Sequence, residues 1–291
     1  MFSIVIPTFD NFKYLKLTIE SIKKNSDFNN EIIIHVNGND IKIISYLENN
    51  KIIYTKSDTN LGLCKSVNIA AKKASTNYIL YSHDDMYFLP KWDYHLYEEV
   101  KKINHKKFYF SSTQISPLKG GSKGMFDDLQ HISQNFGEKI ENFKEEELLK
   151  NFDKYRFRDL QGSHWAPHLI HKSIWDEIGG FSEEFDPGFT SDPDLNMKLW
   201  NYGVRIFKGV SKSRVYHFGS ITTRHKKNIV RNKGKRTFLL KWKMTVDFFV
   251  KFYLNRGHEY KNPLNGPHKN FSFYINLNIC KLKYLLTKYF L

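Results

Sequence analysis

The sequence predicts an α/β fold, a mostly parallel central sheet flanked by helices, followed by a basic helical C-terminal region. Two observations predict the sheet. Short β-branched runs alternate with stretches of helical periodicity, and clusters of turn residues fall where each run ends. A third observation separates the tail: of the net charge of +15, residues 222–291 carry 16 basic side chains against only Asp247 and Glu259, so residues 1–221 are nearly neutral. A neutral body with a basic end suggests chemistry in the body and an anionic surface for the tail.

In order along the chain, Phe2–Ile6 is an apolar run closed by Pro7, and Leu15, Ile19 and Ile22 recur at helical spacing within Phe12–Lys24. Glu31–Val36 and Lys51–Thr55 read as the next strands, Leu63–Ala74 as a helix, and Asn77–Ser82 as a strand entering His83-Asp84-Asp85. A further helix is expected near Pro90–Val100. Strands joined by helices of about 10–15 residues imply right-handed crossovers, which puts ligands at the carboxyl ends of the strands. Thr8–Asp10, Asn37–Asp40, Ser57–Gly62 and His83–Met86 all fall at such ends.

Several chemistries are disfavoured. The turn after the first strand, Pro7-Thr8-Phe9-Asp10, has no glycine for a dinucleotide, and there is no phosphate loop of the GxxxxGK[ST] type. Cys64 and Cys280 are too far apart in sequence for a disulfide framework or zinc knuckle, which favours a reducing, cytoplasmic setting. The first residues lack a signal-peptide pattern, and no uncharged apolar stretch reaches the length of a spanning helix.

The apolar strand Tyr78–Tyr81 runs straight into two adjacent carboxylates, Asp84 and Asp85. Like charges at the edge of a core are costly without a cation, and a hard divalent metal resolves that cost. Helix capping by either residue is the plainer alternative. Five motifs follow in order: Ile4-Val5-Ile6-Pro7-Thr8, Asn60-Leu61-Gly62 with Asn68, Ser82-His83-Asp84-Asp85-Met86, Ile178-Gly179-Gly180-Phe181, and Asp192-Pro193-Asp194-Leu195 with Val215-Tyr216-His217-Phe218. Together they resemble family 2 glycosyltransferases over roughly residues 2–224.

The resemblance implies a GT-A fold with a catalytic domain over 1–221, divided into a nucleotide-binding half (1–112) and an acceptor half (113–221), and a C-terminal region over 222–291. It implies inverting transfer of a single sugar from a nucleoside-diphosphate donor, UDP favoured, to a glycan or lipid-linked hydroxyl. Asp85, completed by His217, would hold Mn²⁺ or Mg²⁺, and Asp192 would be the general base. Pro7, Thr8, Asp10, Asn37, Asn60, Gly62, Lys65, Asn68 and Asp84 match donor positions. On the acceptor side stand His164, Trp165 and Asp194, with Asp194 also an N-terminal partner for its helix. The chain departs from the pattern at His83, Ser191, Asn37 and Lys65, and it has no QxxRW element, unlike processive synthases.

Residues 113–160 read as an acceptor-side loop around Gly120-Gly121 and Gly124, with a helix at Glu145–Leu149. Ala166–Ile170 reads as a strand, and His168 and His171 as its faces rather than a zinc pair. Arg224–Arg236 is a loose basic segment. Phe238–Leu254 and Phe271–Leu291 mix aromatics, leucines and lysines, as an amphipathic helix at an anionic membrane interface does, or as a cap packed on the body does. Nucleic acid is not an expected partner. Two other readings stay open here: a nucleotidyltransferase, against which the absence of Lys or Arg in Pro7–Asn11 counts, and a non-catalytic binder of anionic surfaces.

Overall fold

A computed structural model describes residues 1–117, 131–162, 165–219 and 233–289. The first half alternates as β1 (Ser3–Thr8), α1 (Phe12–Asn25), β2 (Glu31–Asn37), α2 (Ile41–Asn49), β3 (Ile53–Ser57), α3 (Leu63–Ala71) and β4 (Tyr78–Tyr81). Then follow β5 (Met86–Phe88), α4 (Trp92–Lys101), β6 (Phe108–Ser116), β7 (Ile132–Ser133), α5 (Glu145–Asn151), β8 (Leu160–Gln161), β9 (His168–His171), α6 (Lys172–Ile178), α7 (Ser191–Tyr202) and β10 (Ile206–His217). Three helices, Gly234–Trp242, Val246–Phe252 and Phe271–Tyr289, close the described chain.

The sheet order is β3-β2-β1-β4-β9-β6-β10-β5, with β7 on β6 and β8 on β10. Strands β3, β2, β1 and β4 are parallel, as are β6 and β10, whereas β9 runs antiparallel between β4 and β6. Ile4, Val5 and Ile6 are fully buried, as a parallel strand covered on both faces requires. Leu15, Ile19 and Ile22 turn the inner face of α1 to the same core.

Several boundaries differ from the sequence expectation. The third strand starts at Ile53, because Lys51 takes a left-handed φ of 53° and belongs to the turn. Helix α2 was not anticipated, although Asp40 caps it by accepting from Lys42 N at 2.9 Å and Ile43 N at 3.1 Å. Neither Asp84 nor Asp85 caps the next helix, whose N-cap is Lys91. Phe238–Leu254 is not one amphipathic helix. Lys243 breaks it at φ 57°, Thr245 recaps it by accepting from Phe248 N at 3.2 Å, and Phe238, Phe248, Phe249 and Phe252 are buried. That stretch is packed on the body and offers no apolar face to a membrane.

The tail is stitched to the sheet by backbone bonds. Gln161 N donates to His258 O at 2.8 Å, Gly257 N to Gln161 O at 3.2 Å, and Leu264 N to Arg205 O at 2.9 Å. The glycine-rich loop 118–130 and most of the basic segment after Arg224 lie outside the described residues.

Candidate active site

The site begins with the turn after β4. His83 and Asp85 are two residues apart at the strand's carboxyl end, and β10 brings His217 back beside them through its antiparallel pairing with β5, His217 opposite Met86. One ligand atom from each of His83, Asp85 and His217 lies within 4.8 Å of the others. His217 Nε2 stands 3.3 Å and His83 Nδ1 4.0 Å from Asp85 Oδ1. Asp85 is 3% exposed.

The protonation pattern around His217 follows from its neighbour. Gln114 Nε2 donates to Ala166 O at 2.6 Å, which leaves Gln114 Oε1 to accept from His217 Nδ1 at 3.2 Å. In the neutral ring the Nε2 lone pair then faces the Asp85 carboxylate, an arrangement that a cation on Nε2 resolves. Burial and the neighbouring His217 push His83 down to about 4, so its imidazole is neutral and able to ligate near neutral pH. Two imidazoles and one carboxylate make a mixed nitrogen and oxygen donor set of the kind that can hold a divalent ion.

Asp84 turns the other way. It is buried and accepts from Thr8 Oγ1 at 2.6 Å, while Thr18 Oγ1 donates to its backbone carbonyl at 2.9 Å. Burial and the Asp85 charge raise its carboxyl above the ordinary range. Thr8 is thus tied to Asp84 rather than exposed; Pro7 is half-buried and Asp10 is exposed at a left-handed φ of 49°.

Asp192 lies in the first turn of α7, with Oδ1 3.9 Å from His168 Nδ1 on β9. Burial raises its carboxyl, and the nearby Arg256 charge opposes that rise. Arg256 reaches the site from the C-terminal region. It is 5% exposed, its Nε donates to Gly162 O at 3.4 Å, its Nη2 is buried with no hydrogen-bond partner among the described residues, and its guanidinium lies 5.3 Å from the Trp165 ring centre. Trp165 itself is 42% exposed. His164 lies outside the described residues.

The structure does not bring every expected residue to this cluster. Asn37 Oδ1 accepts from Leu61 N at 3.0 Å and Ser66 Oγ at 2.8 Å, and Asn60 Oδ1 accepts from Gly62 N at 2.9 Å. Asn68 forms a two-way bond with the Phe181 backbone, 2.9 Å from Phe181 N and 2.8 Å to its carbonyl. Gly62 has φ 88°, and a Cβ there would overlap the Asp186 carboxylate, which caps α3 by accepting from Cys64 N at 2.7 Å and Lys65 N at 3.3 Å. The Lys65 side chain is exposed. Asp194 is fully buried, accepting from Trp242 Nε1 at 2.7 Å and Ser182 Oγ at 2.6 Å and paired with Lys241 at 3.0 Å. Its surroundings are those of an anchor for the tail, with no surface left for an acceptor.

His83, a departure from the motif by sequence, offers an imidazole where an acid was expected. Its i,i+2 spacing from Asp85 was the available signal. Gln114 and Arg256 carried none, since only the tertiary fold brings them in.

A family model described as glycosyl transferase family 2 matches residues 3–166. No curated protein matches the chain. Among solved structures, S. aureus TarS 1-349 is similar at a TM-score of 0.54 and 14% identity, covering 74% of this chain and 60% of that one. The same TarS fragment in complex with UDP-GlcNAc gives 0.57 and 13%, covering 99% and 72%. GalNAc-T7 with UDP, GalNAc and Mn²⁺ gives 0.58 and 17%, covering 86% and 49%. At such identities the likeness is one of fold, the GT-A arrangement, and the chain spans about 60% of the length of the TarS 1-349 structure. The model's match ends before Asp192 and His217 but takes in β1, α3 and the His83–Asp85 turn, more than half of the chain, and the protein belongs to glycosyl transferase family 2.

Proposed function

We propose that the protein transfers a single sugar, with inversion, from a nucleoside-diphosphate donor to a hydroxyl of a glycan or lipid-linked acceptor. The observation that carries this reading is the convergence of a cation-ready group, His83, Asp85 and His217, with a half-buried carboxylate, Asp192, near the carboxyl ends of the strands. UDP is the favoured nucleotide, in line with neighbours solved with UDP, UDP-GlcNAc and Mn²⁺.

His83, Asp85 and His217 would hold the divalent ion, which supplies Lewis-acid neutralisation of the departing diphosphate. Asp192 takes the proton from the acceptor hydroxyl as its oxygen attacks the anomeric carbon. The new glycosidic C–O bond forms while the bond to the diphosphate oxygen breaks, and the nucleoside diphosphate leaves with the electron pair. A carboxyl raised by burial is a stronger base than an exposed one, and the Arg256 charge favours its ionised form. Arg256 and Trp165 line the acceptor side, where an aromatic face suits the apolar side of a sugar ring.

Calorimetric titration of UDP, GDP, dTDP and CMP tests the reading, with Mn²⁺ and with EDTA, on wild type and Asp85→Ala. One nucleotide binding only with metal, and lost in the variant, is the expected result. Binding indifferent to EDTA and to Asp85 overturns the metal site, and no binding of any nucleotide overturns the donor class.

A further inference from the structure

The last described helix, Phe271–Tyr289, leaves an apolar face uncovered. Of the twelve large apolar side chains that stand exposed among the described residues, eight are on this helix, so the exposure is concentrated rather than scattered. Phe271, Ile275, Ile279, Leu282, Leu286 and Tyr289 recur at intervals of three, four and seven residues. At about 100° per residue these six fall within a sector about 80° wide. Tyr274 and Leu285 extend its edge, and Asn278 is the polar residue inside it.

The opposite face is fixed. Phe273 and Cys280 are buried, with the Phe273 ring 5.1 Å from Phe248 and 5.4 Å from Phe252, and Cys280 Sγ 3.5 Å from Thr245 Oγ1. The helix therefore cannot roll its stripe inward without giving up that packing. Three exposed lysines border the stripe. Lys281 and Lys288 fall along one edge and Lys283 along the other, and there is no acidic residue in the helix.

We propose that this face docks on an anionic lipid bilayer, lying in the plane of the interface. Charge selects this occupant. A lysine on each side of an apolar stripe lets the stripe enter the acyl boundary while the ammonium groups reach lipid phosphates, and the tail's excess of 16 basic over two acidic residues adds longer-range attraction. Self-association through the same face would bring the two lysine borders of each copy against those of the other. No described helix is long and apolar enough to cross a membrane, so attachment by this helix is superficial. The inference stands on the helix alone and does not depend on which sugar the crevice handles.

The test is co-sedimentation of the full chain with phosphatidylcholine vesicles and with vesicles containing about one third phosphatidylglycerol, at low and high salt. Binding to the anionic vesicles at least tenfold above the neutral ones is expected. Leu282→Glu with Leu286→Glu should abolish it, and Lys281→Glu with Lys283→Glu and Lys288→Glu should remove the anionic preference. Phe271→Trp supplies a second readout that needs no disruptive change: its emission should shift to the blue on adding anionic vesicles. No binding to either vesicle, or no emission shift, overturns the proposal. So does a doubled mass in light scattering that the two glutamates return to the monomer without any vesicle binding.

Discussion

Two polar clusters beyond the carboxyl ends of the strands are written in the same kind of sequence, yet they are built differently. Around Asn37, Asn60, Gly62 and Asn68 the polar side chains satisfy one another and the backbone: Asn37 holds the Leu61 turn, Asn68 holds Phe181, and Asp186 caps α3. Around Asp85 and Asp192 the groups are buried at a cost, with carboxyls raised, an imidazole lowered, and a guanidinium nitrogen left unbonded. Polar residues that close on each other make a scaffold. Those whose ionisation is made expensive are the ones available for chemistry.

Four measurements bear on this contrast. The largest effect is expected at Asp192: Asp192→Ala should cut turnover about 10²–10⁴-fold, the range for a general base, and leave nucleotide affinity measured by calorimetry unchanged. Equal turnover in the variant would move the base elsewhere.

The second separates the pH dependence of the scaffold from that of the site. His35 on β2 is fully buried, bonded to Thr55 Oγ1 at 2.8 Å, and burial lowers it to about 4. Because its folded value is below the unfolded value of about 6.5, the unfolded chain takes up the proton first as pH falls. The stabilisation is therefore complete above about 6.5 and is lost between there and about 4, amounting to about 3 kcal/mol. Denaturant melts of His35→Gln should show a flatter slope in that window, and an unchanged slope would assign the dependence to other groups.

Third, Gln114→Ala removes the acceptor that fixes the His217 ring. Metal affinity should fall about 10–100-fold, with the loss read from Mn²⁺ titration rather than turnover. The smallest effect belongs to the scaffold end. Asn68→Ala should lower stability by about 1–2 kcal/mol through the lost backbone bonds, with nucleotide affinity little changed. A large loss of affinity at unchanged stability would make Asn68 a binding residue and break the contrast.

Much of the fold was legible because β1, β2 and β4 are continuous apolar runs ended by turn residues, and α1 keeps its apolar period. Strands β6 and β10 were not, for a physical reason. Ser111, Ser112, Thr113 and Gln114 are all buried in β6, so no alternation marks it, and their burial is made tolerable by partners distant in sequence, such as Ser213 Oγ at 2.7 Å and Val210 O at 3.1 Å. Asp85 could be singled out because paired carboxylates after an apolar strand ask for a cation. Arg256 could not, since it sits 64 residues beyond Asp192 in a stretch that reads only as basic. Asp194, two residues from the expected base, has instead the burial and partners of an anchor.

That anchor has a consequence for exchanging parts. Asp192 and Asp194 share one helical turn, and Asp194 is gripped by Lys241 and Trp242 from the first C-terminal helix. Grafting a tail from a relative onto residues 1–232 would thus also re-aim the carboxylate proposed to accept the proton, unless the graft keeps a lysine and a tryptophan at those two places. In chimeras of this protein, the tail and the Asp192 carboxylate travel as one module.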